Sequence, residues 1–69
     1  MMKLEYDKEV DAAYLYLEYP LKQWRIKKTQ SVDDNIVVDF DAGGKMLGVE
    51  ILNARKVLSR KALLQAQVV

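Results

Sequence analysis

VVDFDAGGKMLGVEIL, residues 37–52, combines three acids, two adjacent glycines and apolar residues at alternate positions. Alternation of apolar and polar residues is the signature of a half-buried strand, and a central pair of glycines is a turn signal. If Gly43-Gly44 closes the loop, the glycines supply the positive φ angles that primed hairpin turns require. Phe40 then faces Leu47, Val38 faces Val49 and Ile36 faces Ile51, all apolar and all on one side. The other side carries Asp41, Asp39 and Val37 opposite Met46, Gly48 and Glu50. A slip of one residue would set the apolar row against that polar set, so the register is strongly specified.

The same residues also read partway as a calcium loop. With Asp39 at the first position of a twelve-residue EF-hand loop, Asp41 takes the third, Gly44 the sixth and Glu50 the twelfth. The fifth position is Gly43, which offers no ligand, and the flanks alternate as strands instead of forming helices. In the hairpin register Asp39 and Glu50 are diagonal neighbours roughly 7–8 Å apart at Cα. Hard cations need six or more oxygens. The hairpin is the preferred reading, and Asp39, Asp41 and Glu50 stand as secondary candidates for a loosely held divalent ion. The expected resident metal and cofactor are none.

Outward from the hairpin, Asp33-Asp34-Asn35 reads as a three-residue turn pairing Val32 with Ile36, with Asn35 accepting the left-handed conformation. The preceding run WRIKKTQSV, residues 24–32, is a weaker strand whose Lys28 and Gln30 suit a sheet edge. Leu4 and Tyr6 alternate with charged neighbours, Asp7-Lys8-Glu9 offers a turn, and Ala12–Leu17 reads as the second strand of an N-terminal hairpin. Tyr19-Pro20 ends it, since proline donates no ladder hydrogen bond. After Asn53, a favoured N-cap, ARKVLSRKALLQAQVV changes to helical spacing. Ala54, Val57, Leu58, Leu64 and Val68 share a face, and Leu63 falls off it. The expected fold is α+β in a single domain, 1–69. A small antiparallel sheet of about four or five strands built from hairpins spans about 3–52, with one C-terminal helix over about 54–67.

Size and composition limit what such a fold can do. The chain has 69 residues, 51% hydrophobic and 30% charged, with no cysteine and no histidine. Chains of this size bury only about 60% of their unfolded surface, and small scaffolds usually add a disulfide, a metal or a partner chain. Without cysteine or histidine, disulfides and nearly all zinc, haem and iron–sulfur sites are excluded. Self-association as a dimer or higher homo-oligomer is the expected remedy. The N-terminus lacks the apolar core of a secretory signal and the longest apolar run, Ala12–Leu17, cannot span a bilayer. A cytoplasmic, non-membrane protein is expected. The net charge of +1 divides unevenly: seven Lys/Arg and ten Asp/Glu give −3 over residues 1–52, and four cations without an acid give +4 over residues 53–69.

Catalysis finds little support. Thr29, Ser31 and Ser59 are the aliphatic hydroxyls, and there is no histidine to activate them. An Asp39–Glu50 pair could exchange protons only if placed in a pocket. No enzymatic activity is expected. Tyr14, Tyr16 and Trp24, with Arg25 and Lys27 close in sequence, form an alternative nucleic-acid surface, because bases stack on aromatics beside a basic groove. The acidic balance of the sheet region weighs against it. Arg55, Lys56, Arg60 and Lys61 read as a solvated helix face.

Several pieces together resemble a known family: Tyr6-Asp7, Asp11-Ala12 with Tyr14 and Leu17, Asp33-Asp34, Val38-Asp39, Asp41, Gly44, Gly48, and Glu50-Ile51-Leu52 with Ala54. The pattern, over about residues 3–54, is similar to the small prokaryotic proteins called domain of unknown function 2283. Asn35 stands where that family usually has glycine, and Ala13 replaces a larger aliphatic residue. The family has no established activity. The resemblance implies an accessory protein, and some members are similar to antitoxins encoded beside small putative toxins. The expected role is therefore a self-associating protein-interaction module, antitoxin-like, with a small toxin as the implied protein partner.

Overall fold

The computed structural model describes residues 2–69. Strands β1 (Lys3–Asp7), β2 (Ala12–Tyr16), β3 (Lys28–Ser31), β4 (Ile36–Phe40) and β5 (Met46–Leu52) are followed by α1 (Ala54–Val57), α2 (Arg60–Gln65) and β6 (Gln67–Val68). The six strands form one sheet in the order β3-β4-β5-β2-β1-β6. The N-terminal hairpin and the β3-β4-β5 meander join through an antiparallel β2–β5 ladder, which pairs Tyr14 with Glu50 and Tyr16 with Gly48. The fold is α+β, with more strands and shorter helices than the sequence predicts. The sixth strand pairs parallel to β1, so the sheet is mixed.

The central hairpin keeps its predicted core register by an unpredicted route. Val38 pairs with Val49 and Ile36 with Ile51, but Phe40 pairs with Met46 instead of Leu47. The loop is longer than a two-residue primed turn. The Gly44 amide donates to the Asp41 carbonyl and the Asp41 amide to the Lys45 carbonyl. Gly44, at φ 81°, is the glycine in the left-handed region, and Gly43 is not. This is a type I turn closed by a left-handed residue. It offsets the strands by one position, and a bulge that leaves Leu47 without a β4 partner restores the offset before Asp39 meets Gly48. The free Leu47 carbonyl accepts the amides of Leu17 and Glu18 at 3.0 and 3.2 Å. Leu47 itself is buried.

Other turns also depart from expectation. Val32 donates to the Ile36 carbonyl at 2.8 Å as predicted, but Asn35 is not left-handed. Asp33 Oδ1 closes that turn by accepting the amides of Asn35 and Ile36. Trp24 lies in a single 3-10 turn, Gln23–Arg25, outside the strand, while β3 is the expected edge.

The predicted long helix is broken. Leu58 is extended, and Ser59 starts a second helix by accepting the Ala62 amide on its hydroxyl at 3.1 Å. Asn53 is left-handed and does not cap with its side chain. Asp11, also left-handed, crosses from the first hairpin instead, its carbonyl accepting Ala54 N–H and its Oδ1 accepting Arg55 N–H. Ser59 resets the helical phase, so Leu63 packs on the core and Leu64 is 75% exposed, reversing the predicted faces. Tyr6, Ala13, Ile51 and Ala54 form the core cluster, with Leu4, Ile36, Val49, Leu58, Leu63 and Ala66 around it. These are the inward positions of four strands, so both helices cover that face. No helix among the described residues is long and apolar enough to cross a membrane.

Candidate functional site

The opposite face of the sheet is polar, and strand pairing assembles it. On β2, Tyr14 and Tyr16 point away from Ala13 and Leu15. Their cross-strand neighbours are Glu50 and Gly48 on β5 and Glu5 and Lys3 on β1. One strand further, Asp39 lies opposite Gly48 and Thr29 opposite Asp39. Gly48 lets Tyr14 reach across: a Cβ there would lie 2.6 Å from ring atoms Cε2 and Cζ. The Tyr14 hydroxyl thereby donates to Asp39 Oδ2 at 2.6 Å, while Thr29 donates to Asp39 Oδ1 at 2.5 Å. Tyr16 donates to Glu5 at 3.3 Å. The rings of Tyr14 and Tyr16 meet edge to face at 4.6 Å, and Tyr16 meets Tyr19 at 5.2 Å.

The segment between β2 and β3 crosses this face and turns it into a depression of about 280 Å³. Tyr14, Tyr16, Thr29, Asp39 and Glu50 line it from the sheet, and Leu21, Gln23 and Ile26 from the crossing segment. A bidentate pair steadies the segment: Arg25 donates from Nε and one terminal nitrogen to Glu18 at 2.9 and 2.7 Å. Burial, followed by the hydrogen bond to Asp39, holds the Tyr14 phenol above the ordinary tyrosine range. Burial and then the Glu5 charge raise Tyr16 likewise. Both are neutral phenols at physiological pH.

The sequence-derived candidates divide along these lines. Asp39 and Glu50 line the depression together, but Asp41 does not. Asp41 Oδ1 accepts the amides of Gly43 and Lys45 within the turn, and those bonds hold its carboxyl below the usual range. Among the described residues no group of three acids lies close enough to hold a metal ion. Of the nucleic-acid candidates, Tyr14 and Tyr16 share the depression, and Trp24, Arg25 and Lys27 lie outside its lining. Trp24 is 70% exposed, and the Arg25 fork is taken by Glu18. Asp39 and Glu50 line the depression beside the Tyr14 and Tyr16 rings, while Lys3, opposite Tyr16 on β1, is held by Glu5 at 3.3 Å and by the Tyr19 hydroxyl at 3.0 Å.

Sequence reasoning passed over Thr29, Leu21, Gln23 and Ile26 as site residues. Thr29 was within reach, because closing the turn at Val32–Ile36 fixes the Thr29–Asp39 pair. Tyr14 beside Gly48 and Asp39 depends on the long-range β2–β5 pairing, which no local pattern contains.

Comparison with known proteins gives a family and one curated relative. Residues 3–55 match the family described as protein of unknown function (DUF2283). An uncharacterised protein of Methanocaldococcus jannaschii, MJ0789, is 41% identical over 58 residues, 84% of this chain and 46% of the relative. The chain thus spans about half the length of the curated relative it matches. No solved structure matches.

Proposed function

The chain belongs to the DUF2283 family of proteins of unknown function, and on that premise we propose that it acts without catalysis, as a self-associating protein-interaction module. One observation carries this reading: the accessible surface is 4997 Å² for 8.0 kDa, where a compact monomer of that mass exposes about 4,450 Å². The excess follows from how little the single chain buries. Tyr6, Ala13, Val38, Leu47, Ile51 and Ala54 are its buried apolar residues, while Leu64 and Val68 remain 75% and 56% exposed beside the helices. A second copy covering Leu64 and Val68 would supply the missing core. Regulation of a partner protein, antitoxin-like, is the biological role this reading fits, and a small toxin is the corresponding partner class.

Sedimentation velocity over a dilution series tests the association. A dimer or higher species that dissociates on dilution is expected, with Leu64→Asp shifting it to monomer at every concentration. A wild-type chain that sediments as a monomer throughout would remove the reading.

A further inference from the structure

The depression on the polar face presents hydrogen-bond acceptors and almost no donors. The hydroxyl protons of Tyr14 and Thr29 are both directed at Asp39, and that of Tyr16 at Glu5. What these groups turn toward the cavity is oxygen lone pairs. Asp39 retains acceptor capacity, since a carboxylate offers about four lone-pair sites. Glu50, exposed and without a hydrogen-bond or ion-pair partner among the described residues, lines the depression beside Tyr14. Among the described residues no lysine or arginine lines the space, and Gln23 is the lining side chain whose N–H donors are uncommitted. Leu21 and Ile26 add an apolar wall, and the two phenol rings an aromatic floor.

We propose that this cavity binds a small organic cation, an alkylammonium or alkylguanidinium, with its charged head on Glu50 and Asp39 and its aliphatic stem against Leu21 and Ile26. Nothing in the self-association reading is needed for this. Three features select this class. A cationic head supplies the donors that an acceptor-only lining demands, and charge-assisted bonds to carboxylate are the strong kind. Tyrosine faces attract organic cations through the ring quadrupole. A bare divalent ion finds two carboxylates among neutral phenol and hydroxyl oxygens and an apolar wall, unlike the carboxylate- and carbonyl-rich shells that hard cations take. The volume, about 280 Å³, lies just under the usual range for ligand pockets of roughly 300–1,000 Å³, which suits a short chain and not a cofactor.

The test is a two-dimensional amide NMR titration of the full chain with agmatine, which joins a guanidinium and an ammonium through a short aliphatic stem and so presents both head groups. Butyrate and calcium serve as the opposed probes. Saturable shifts centred on Tyr14, Tyr16, Thr29, Asp39 and Glu50, absent with butyrate, are expected. Glu50→Gln, a change at an exposed position that leaves the strand pairing intact, should weaken agmatine roughly tenfold. A short arginine peptide distinguishes the sources of the cation: tighter binding than agmatine assigns the site to a side chain of a partner protein, weaker binding to a free amine. Absence of saturable shifts with agmatine, calcium displacing it as the better ligand, or unchanged affinity in Glu50→Gln would each overturn the proposal.

Discussion

Gly48 and Tyr14 show how one missing side chain shapes a whole face. Glycine in the middle of a strand is ordinarily a cost, but here it leaves the room that the Tyr14 ring occupies on its way to Asp39. Gly48→Ala should therefore destabilise the fold by about 1–3 kcal/mol through overpacking, read as a lower urea midpoint. Tyr14→Ala should abolish the extra cost in a double-mutant cycle. Tyr14→Phe removes one of the two donors on Asp39 and should cost about 1–2 kcal/mol. The same scale governs pH. The Tyr6 hydroxyl, followed by the Arg55 backbone, holds the Asp11 carboxyl below its ordinary value, and Arg25 does the same for Glu18. Depressed carboxyls contribute stability that is present above their unfolded values, about 4, and lost as pH falls through the folded ones. Tyr6, Tyr14 and Tyr16 are shifted upward. Their contribution is complete below about 10 and lost as pH rises through the folded values. Melting temperature against pH should form a plateau that falls away on both sides, and Asp11→Asn should flatten the acid limb.

Elements were legible where pattern is local and were missed where a distant residue decides. The β4–β5 hairpin, the edge character of β3 and the Val32–Ile36 closure follow from alternation and turn chemistry within a few residues. The helix break does not, because Ser59 is an acceptable helix residue until its hydroxyl turns to cap Ala62, and extended Leu58 gives it that freedom. Asp11 as the cap of α1 was hidden for the same reason: capping acids are sought beside the helix, and this one lies across the sheet. Of the candidate site, Asp39 with Glu50 and Tyr14 with Tyr16 could be nominated as pairs, but their union required knowing that β2 lies against β5. The phase reset at Ser59 yields a sharp contrast between adjacent leucines. Leu63→Ala should cost about 1–2 kcal/mol, less than a fully buried leucine because the site is only half-buried. Leu64→Ala should fall within about 0.5 kcal/mol of wild type at concentrations where the chain is monomeric. Equal effects would mean a continuous helix.

Across the molecule, β5 and β2 occupy the middle of the sheet and β3 and β6 its edges. Amide hydrogen exchange should accordingly be slowest in β2 and β5 and fastest in β3, whose four residues are all exposed, because edge strands open at low free energy. Uniform protection from β3 to β6 would instead indicate that partner chains cover both edges. The two faces divide labour: helices seal one, and the other keeps its carboxylates and phenols open beneath a single crossing segment. The Asp41–Gly44 turn and the Leu47 bulge add a property of a different order. Together they behave like an insertion and its suppressor in a reading frame, each displacing the strands by one position and the second cancelling the first. The frame is wrong only between them, and Asp39, Val38 and Ile36 meet the same partners that a two-residue loop without a bulge would give them. The strand pairs that build the polar face are thus the same for either closure, while only the bulged one frees the Leu47 carbonyl for Leu17 and Glu18, where the crossing segment begins. The floor of the depression is indifferent to how the hairpin closes, and its roof is not.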